Sequence, residues 1–90
     1  LLYWKDNNGT AEVDWVLQFN EQLIPVEVKY TDKPSTQDAK HLITFMKEYS
    51  TANTAFVICR IPRPRKLSDH IIALPWQKLD DVLSSFIVDV

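Results

Sequence analysis

The stretch Leu23-Ile24-Pro25-Val26-Glu27-Val28-Lys29-Tyr30 decides how this chain folds. Side chains alternate between the two faces of a β-strand, so every second residue shares a face. One face is wholly apolar and consists of Ile24, Val26, Val28 and Tyr30. The other face carries Glu27 and Lys29 near its end. The pattern predicts a strand with one apolar face and a charged pair where the strand ends.

The segment before it, Ala11 to Phe19, alternates in the same way and predicts the neighbouring antiparallel strand. One face carries Val13, Trp15, Leu17 and Phe19, and the other carries Glu12, Asp14, Val16 and Gln18. A connection from Phe19 to Gln22 places Asp14 opposite Glu27, whereas a tighter turn at Glu21-Gln22 places it opposite Lys29. A slip by one residue would expose the apolar face to water. Both registers therefore keep the three charged side chains on one face.

The remaining chain supplies further strands and two helices. Asp6 to Gly9 contains an Asn-Gly pair typical of a hairpin turn after Leu1–Trp4. Ser35, three residues before Asp38, predicts the start of a helix over residues 36–49. Its apolar stripe consists of Ala39, Leu42, Ile43, Met46 and Tyr49. Residues 54–60 and 70–74 predict strands, residues 61–66 a stiff basic loop, and Pro75 to about Phe86 a closing helix.

This order of elements predicts a single α/β domain over residues 1–90. The first three strands form an antiparallel meander, and the strand, helix and strand that follow favour a parallel, right-handed crossover. A mixed sheet flanked by helices is the expected architecture. Because the chain starts at Leu1 without an initiating methionine, we expect it to be a fragment of a larger protein.

Composition excludes several classes of site. A single glycine leaves no glycine-rich phosphate loop, and the single Cys59 excludes an internal disulfide and a cysteine-based zinc site. Cys59 lies in an apolar run, which predicts a buried thiol. No apolar stretch approaches the ~18–20 residues of a membrane span, so a cytoplasmic location is expected. The net charge of −2 limits any nucleic-acid contact to a local surface.

Asp14, Glu27 and Lys29 form the one concentrated chemical site that the pattern predicts. Two adjacent carboxylates repel each other unless a cation lies between them, and Mg²⁺ prefers oxygen ligands of this kind. A lysine two residues further along the same face can orient the attacking water or neutralise a phosphate. The alternative is a solvated face of cross-strand ion pairs, such as Glu12 with Lys29.

At these residues the chain resembles a known superfamily. Asp14 on the second strand and Glu27-Val28-Lys29 on the third, followed by a crossover helix, resemble the PD-(D/E)XK (restriction-endonuclease-like) nucleases. More narrowly, the chain resembles the C-terminal domain of a bacterial and archaeal family of AAA-type ATPases. That likeness rests on Leu2-Tyr3-Trp4, Glu12-Val13-Asp14-Trp15 and Leu23 to Lys29, with Asp38, Leu42 and Phe45 in the helix.

The resemblance implies a restriction-endonuclease-like core and phosphodiester hydrolysis that depends on Mg²⁺ or Mn²⁺. It implies that Asp14 and Glu27 are metal ligands, that the backbone carbonyl of Val28 completes the site, and that Lys29 activates water. It also implies a weak role in substrate binding for Gln37. The implied partners are nucleic acid, with DNA preferred over RNA, and an ATPase region earlier in the same polypeptide. No membrane contact is implied.

Other residues carry weaker expectations. Arg63, Arg65 and Lys66 in the basic loop are candidates for phosphate contacts, with a solvated loop as the alternative. His41 and His70 are expected at the surface or as capping residues. The tryptophans, Trp4, Trp15 and Trp76, are expected in the core. Two rival functions stay open: a non-catalytic module on the same fold that binds nucleic acid or the ATPase, and a purely structural interaction domain.

Overall fold

A computed structural model of the chain describes residues 2–5, 9, 11–79 and 81. These residues form one sheet of six strands and one α-helix. Two short 3-10 helices span Thr36–Ala39 and Trp76–Lys78. The main elements are β1 (Leu2–Lys5), β2 (Glu12–Phe19), β3 (Gln22–Val28), α1 (Lys40–Glu48), β4 (Ala55–Cys59), β5 (Arg65–Ser68) and β6 (Ile71–Pro75).

The strands lie in the order β1-β2-β3-β4-β6-β5. The first three form an antiparallel meander, β3 pairs parallel with β4, and β4 pairs parallel with β6. The edge strand β5 is antiparallel to β6. The predicted mixed α/β architecture, with its meander and its parallel crossover through a helix, is confirmed. No helix of the described residues has the length and apolarity needed to span a bilayer.

The hairpin between β2 and β3 has the first of the two predicted registers. Phe19 pairs with Gln22, and the ladder continues to Trp15 and Val26. The turn is tight because Asn20 has a φ of 56°, in the left-handed region that asparagine tolerates better than most residues. The next step along this register places Asp14 opposite Glu27.

The predicted alternation is wrong at Val13. Leu2 pairs with Val16 while Trp4 pairs with Val13, so β2 contains one extra residue against β1. This bulge turns Val13 to the face that carries Val16, whereas Trp15 packs on the opposite face. A strict period of two cannot reveal such an insertion, because each half of the strand still alternates correctly.

Two apolar clusters cover the two faces of the sheet. On the face under α1, Leu42 and Phe45 are fully buried, and the ring of Trp4 meets that of Phe45 edge-on at 5.1 Å. The opposite cluster contains Ile24, Val26, Phe56, Ile58 and Leu74.

The predicted apolar stripe of the helix is confirmed except at one position. Ala39 and Leu42 are buried, and Met46 and Tyr49 pack against the cluster under α1. Ile43, in contrast, is 36% exposed. Phe45 takes the central place instead.

Two boundaries differ from the prediction. Residues 36–39 of the expected α-helix form a 3-10 turn, although Ser35 N–H donates to Asp38 Oδ2 at 2.9 Å as its capping pattern requires. The expected basic loop is wrong for Arg65 and Lys66, which belong to β5. Exposed charges are typical of an edge strand, where they discourage pairing with other chains.

Two expected elements fall largely outside the described residues. Of the closing helix, only the 3-10 turn after Pro75 and the residues 79 and 81 are described. Of the Asn-Gly hairpin turn, only Gly9 is described, and its φ of 70° lies in the left-handed region expected for a glycine in a turn.

Phe45→Ala should destabilise the domain by about 3–5 kcal/mol, because it removes a fully buried ring and leaves a cavity under α1. The measurement is urea unfolding followed by far-UV circular dichroism. Ile43→Ala, on the exposed side of the same helix, is the matched control and should cost less than about 1 kcal/mol. Equal losses in the two variants would show that α1 does not pack as described.

Candidate functional site

The topology collects polar side chains at one edge of the sheet. Because β3, β4 and β6 are parallel, their carboxyl ends meet at the same edge. β2 runs antiparallel to β3, so its first residues lie beside the last residues of β3. Asp14 near the start of β2 and Glu27 near the end of β3 are therefore neighbours.

Two hydrogen bonds join the strands at this point. Asp14 N–H donates to Glu27 Oε1 at 3.3 Å, and Val28 N–H donates to Asp14 Oδ2 at 2.9 Å. The regular ladder stops at the pair of Trp15 and Val26, and these side-chain contacts continue the connection beyond it. Each carboxylate thus holds the backbone of the other strand, which fixes the two acids face to face.

Among the residues that the structure describes, Glu27 is the one charged residue that is buried, with 5% of its surface exposed. Burial is the main cause that raises its pKa from 4.5 to about 7. A hydrogen bond to Asp14 and repulsion by its carboxylate raise the pKa further, and attraction by Lys29 opposes the shift. Near neutral pH, without a cation, this carboxyl group holds its proton about half of the time.

Lys29 follows Glu27 by two residues and is half-buried. Its backbone N–H donates to Ile58 O at 2.9 Å, which ties the end of β3 to β4. The Glu12 carboxylate lies 3.8 Å from the ammonium group of Lys5, its cross-strand partner on β1, so the ion pair of Glu12 forms with Lys5.

His41 also belongs to this site, although it was expected only at the surface or as a capping residue. His41 Nδ1 lies 3.1 Å from the backbone oxygen of Glu12 and 3.8 Å from Glu27 Oε2. The imidazole thus sits between β2 and the buried acid, on the first turn of α1. Its spacing was an available signal, because residue 41 precedes the buried Phe45 by four and shares its helical face.

Two of the candidate phosphate-binding residues, Arg65 and Lys66, lie on β5 and apart from the two acids in the sheet order. Gln37, Arg63 and Lys66 are exposed, and the ammonium group of Lys66 is 4.0 Å from Asp69. Arg65 donates from Nη2 to the backbone oxygen of Pro34, so it ties β5 to the segment before the 3-10 turn. β5 is separated from β3 by two strands, and the structure does not bring Arg65 and Lys66 together with Asp14.

Of the two remaining expectations, the one for Cys59 is confirmed and the one for the tryptophans is wrong in part. Cys59 is a free, buried thiol, as predicted, and burial raises its pKa. Trp4 and Trp15 are half-buried and pack against the two clusters. The expectation of a core position is wrong for Trp76, which is 65% exposed. Trp76 directly follows the last residue of β6 and therefore lies at the edge of the sheet rather than inside it.

In the part of the chain that the structure describes, no three His, Cys, Asp or Glu side chains are grouped so that they could hold a metal ion. Asp14 and Glu27 nevertheless offer the oxygen donors that Mg²⁺ and Mn²⁺ prefer. Each carboxylate has about four acceptor positions, and the backbone contacts at this site take one on each.

A family model described as a domain of unknown function (DUF4143) matches residues 1–79. The chain belongs to the DUF4143 family. Domains of this family are typically found in AAA-ATPase-associated proteins, which confirms the coarser part of the resemblance. The comparison with curated proteins and the comparison with solved structures gave no match. In this DUF4143 domain, the matched region covers both acids, Lys29 and His41.

Proposed function

We propose that this domain is a metal-dependent nuclease with a restriction-endonuclease-like core. It hydrolyses phosphodiester bonds of DNA or RNA and works beside an AAA-type ATPase region. The observation that carries the proposal is the pair of carboxylates on opposed strands, one of them buried, with a lysine two residues further along.

The donor set supports a divalent cation at this pair. Asp14 and Glu27 are held together by the strands although their charges repel, and burial makes ionised Glu27 costly. A bound Mg²⁺ or Mn²⁺ would offset both costs. Residues in an extended strand direct N–H and C=O toward the same neighbour, so the carbonyl of Val28 is expected on the side of Asp14.

A cation held here would polarise a phosphoryl oxygen and lower the pKa of bound water. The residues of the chain supply the rest of the chemistry. Asp14 and Glu27 orient the cation, and the ammonium group of Lys29 donates hydrogen bonds to the attacking water or to the phosphate. Its positive charge stabilises negative charge that develops during the reaction.

Asp14→Ala is expected to weaken Mn²⁺ binding at least about tenfold, because one of the two carboxylates is lost. Isothermal titration calorimetry with Mn²⁺ measures the affinity directly. Asp69→Ala is the matched control, since Asp69 is an exposed acid between β5 and β6, far from the pair in the sheet order. Unchanged affinity in Asp14→Ala would overturn the assignment of the metal site.

Nuclease activity itself is tested with plasmid, linear duplex, single-stranded DNA and RNA, each with Mg²⁺, Mn²⁺ or EDTA. We expect cleavage only with metal, and the substrate that is cut identifies the class. If neither the domain alone nor the domain joined to its ATPase region cleaves any of these substrates, the enzymatic proposal is rejected.

A second candidate function is a non-catalytic module that binds nucleic acid or the ATPase. It is favoured by the backbone hydrogen bonds that both acids accept, because these give Asp14 and Glu27 a structural role without any cation. Such a module would bind nucleic acid equally well with Mg²⁺ and with EDTA, and it would cut none of the substrates.

A further inference from the structure

A groove opens at the carboxyl edge of the sheet, on the face opposite α1. Its apolar lining includes Trp15, Val28, Ile58 and Trp76, and its volume is about 480 Å³. Cavities of roughly 300–1,000 Å³ with apolar walls are typical of sites for small organic groups. The size and lining therefore suit a flat, mainly apolar group.

The groove lies at the same end of the sheet as the pair of carboxylates but on the opposite face, because Glu27 points toward His41 on α1. Trp15 directly follows Asp14, and the backbone N–H of Val28 donates to Asp14 Oδ2. Lys29 also lines the groove. A single strand whose base lies in the groove would therefore have to pass around the end of β3 to bring a phosphate to the two acids.

The lining combines exposed aromatic rings with cations. Tyr30 is 91% exposed and Trp76 is 65% exposed, although both are large aromatic residues. Lys29 and Arg60 line the same groove. Aromatic platforms beside positive charge are the usual means of binding single-stranded nucleic acid, because bases stack on rings while phosphates contact the cations. Bases inside a duplex are stacked on each other and cannot reach such a platform.

We propose that this groove binds an unpaired nucleobase of a single-stranded nucleic acid. The base stacks on Trp76, with Tyr30 as a second platform, and Arg60 contacts the adjacent phosphate. The proposal deepens the proposed function, since it names single-stranded nucleic acid as the substrate class. The two are nevertheless separable, because binding in the groove needs no metal.

Binding is measured by the fluorescence anisotropy of a labelled oligothymidine in EDTA at several salt concentrations. Trp76→Ala should weaken binding about 5- to 30-fold without changing the salt dependence, because it removes stacking but no charge. Trp76→Phe retains a ring and should remain within about threefold of the unchanged chain. Arg60→Ala should reduce the slope of log K against log salt by about 0.7, the value for one phosphate contact on a single strand.

The controls lie on α1, which packs on the other face of the sheet. Ile43→Ala matches the loss of an exposed apolar side chain, and Lys47→Ala matches the loss of an exposed charge. Both should bind like the unchanged chain. Equal affinity of Trp76→Ala and the unchanged chain would overturn the proposal, as would duplex binding as tight as that of the single strand.

The outcome also separates this proposal from the nuclease assignment. Binding that is lost in Trp76→Ala, without any metal-dependent cleavage, would support the groove and reject the enzyme. The opposite result is metal-dependent cleavage together with a Trp76→Ala variant that keeps both its affinity and its preference for single strands. This result would reject base binding in the groove and support the nuclease assignment.

Discussion

Lys29→Ala is expected to reduce metal-dependent phosphodiester cleavage by about 10²–10⁴-fold, because it removes the cation two residues beyond Glu27 that is proposed to act on water or phosphate. Asp14 and Glu27 remain in place, so Mn²⁺ affinity should change little. The measurement compares cleavage rates and calorimetric Mn²⁺ affinities of the two proteins, purified identically. A rate loss without a loss of affinity identifies Lys29 as a residue of the reaction.

Lys33→Ala provides the control, because Lys33 is an exposed lysine in the loop that follows β3. It should cleave at the rate of the unchanged chain. Equal cleavage by Lys29→Ala and the unchanged chain would mean that the activity comes from a contaminant or that Lys29 takes no part in the reaction.

Much of the sheet could be predicted because its central strands have strong alternation. The apolar face of residues 23–30 allows only registers that keep Glu27 and Asp14 on one side. The choice between the two open registers depended on the turn, where Asn20 adopts a left-handed conformation. The bulge at Val13 was hidden because it reflects the pairing of β2 with β1, which the pattern of β2 alone does not contain.

The site was predictable only in part for a related reason. The pairing of Asp14 with Glu27 follows from the register, but the burial of Glu27 and the position of His41 depend on how α1 crosses the sheet. β5 was missed because a short, charged edge strand shows no alternation of apolar residues. Tertiary contacts decided these features, and they are weakly encoded in local patterns.

The groove shows how the topology brings distant residues together. Three residues of the groove come just after the ends of parallel strands. Tyr30 lies two residues beyond the end of β3, Arg60 directly follows β4, and Trp76 directly follows β6. Along the sequence they are separated by long intervals, so no local motif joins them. Because parallel strands end at one edge, the fold collects them around one cavity.

The remaining prediction concerns Glu27, where stability and activity should change in opposite directions. The folded state raises the pKa of Glu27 from 4.5 to about 7, so between these pH values it binds more protons than the unfolded state. The free energy of unfolding of the metal-free domain should therefore fall as pH rises through this window. Glu27→Gln removes this titration, and its amide can still accept the N–H of Asp14.

We thus expect metal-free Glu27→Gln to match the unchanged chain near pH 4.5 and to exceed its stability by on the order of 1–3 kcal/mol above pH 7. Urea unfolding at a series of pH values measures the difference, and Glu21→Gln, the same change at an exposed acid in the turn before β3, serves as the control. In Mn²⁺ the order of stability should reverse, because ligand binding stabilises only the chain that retains the carboxylate.

Two outcomes for Glu27→Gln are informative. If the variant is more stable without metal, gains no stability from Mn²⁺ and has lost cleavage, the burial of Glu27 serves cation binding. A variant that is less stable at every pH would mark it as a structural residue, since a buried acid with satisfied hydrogen bonds and no metal contributes to the fold alone.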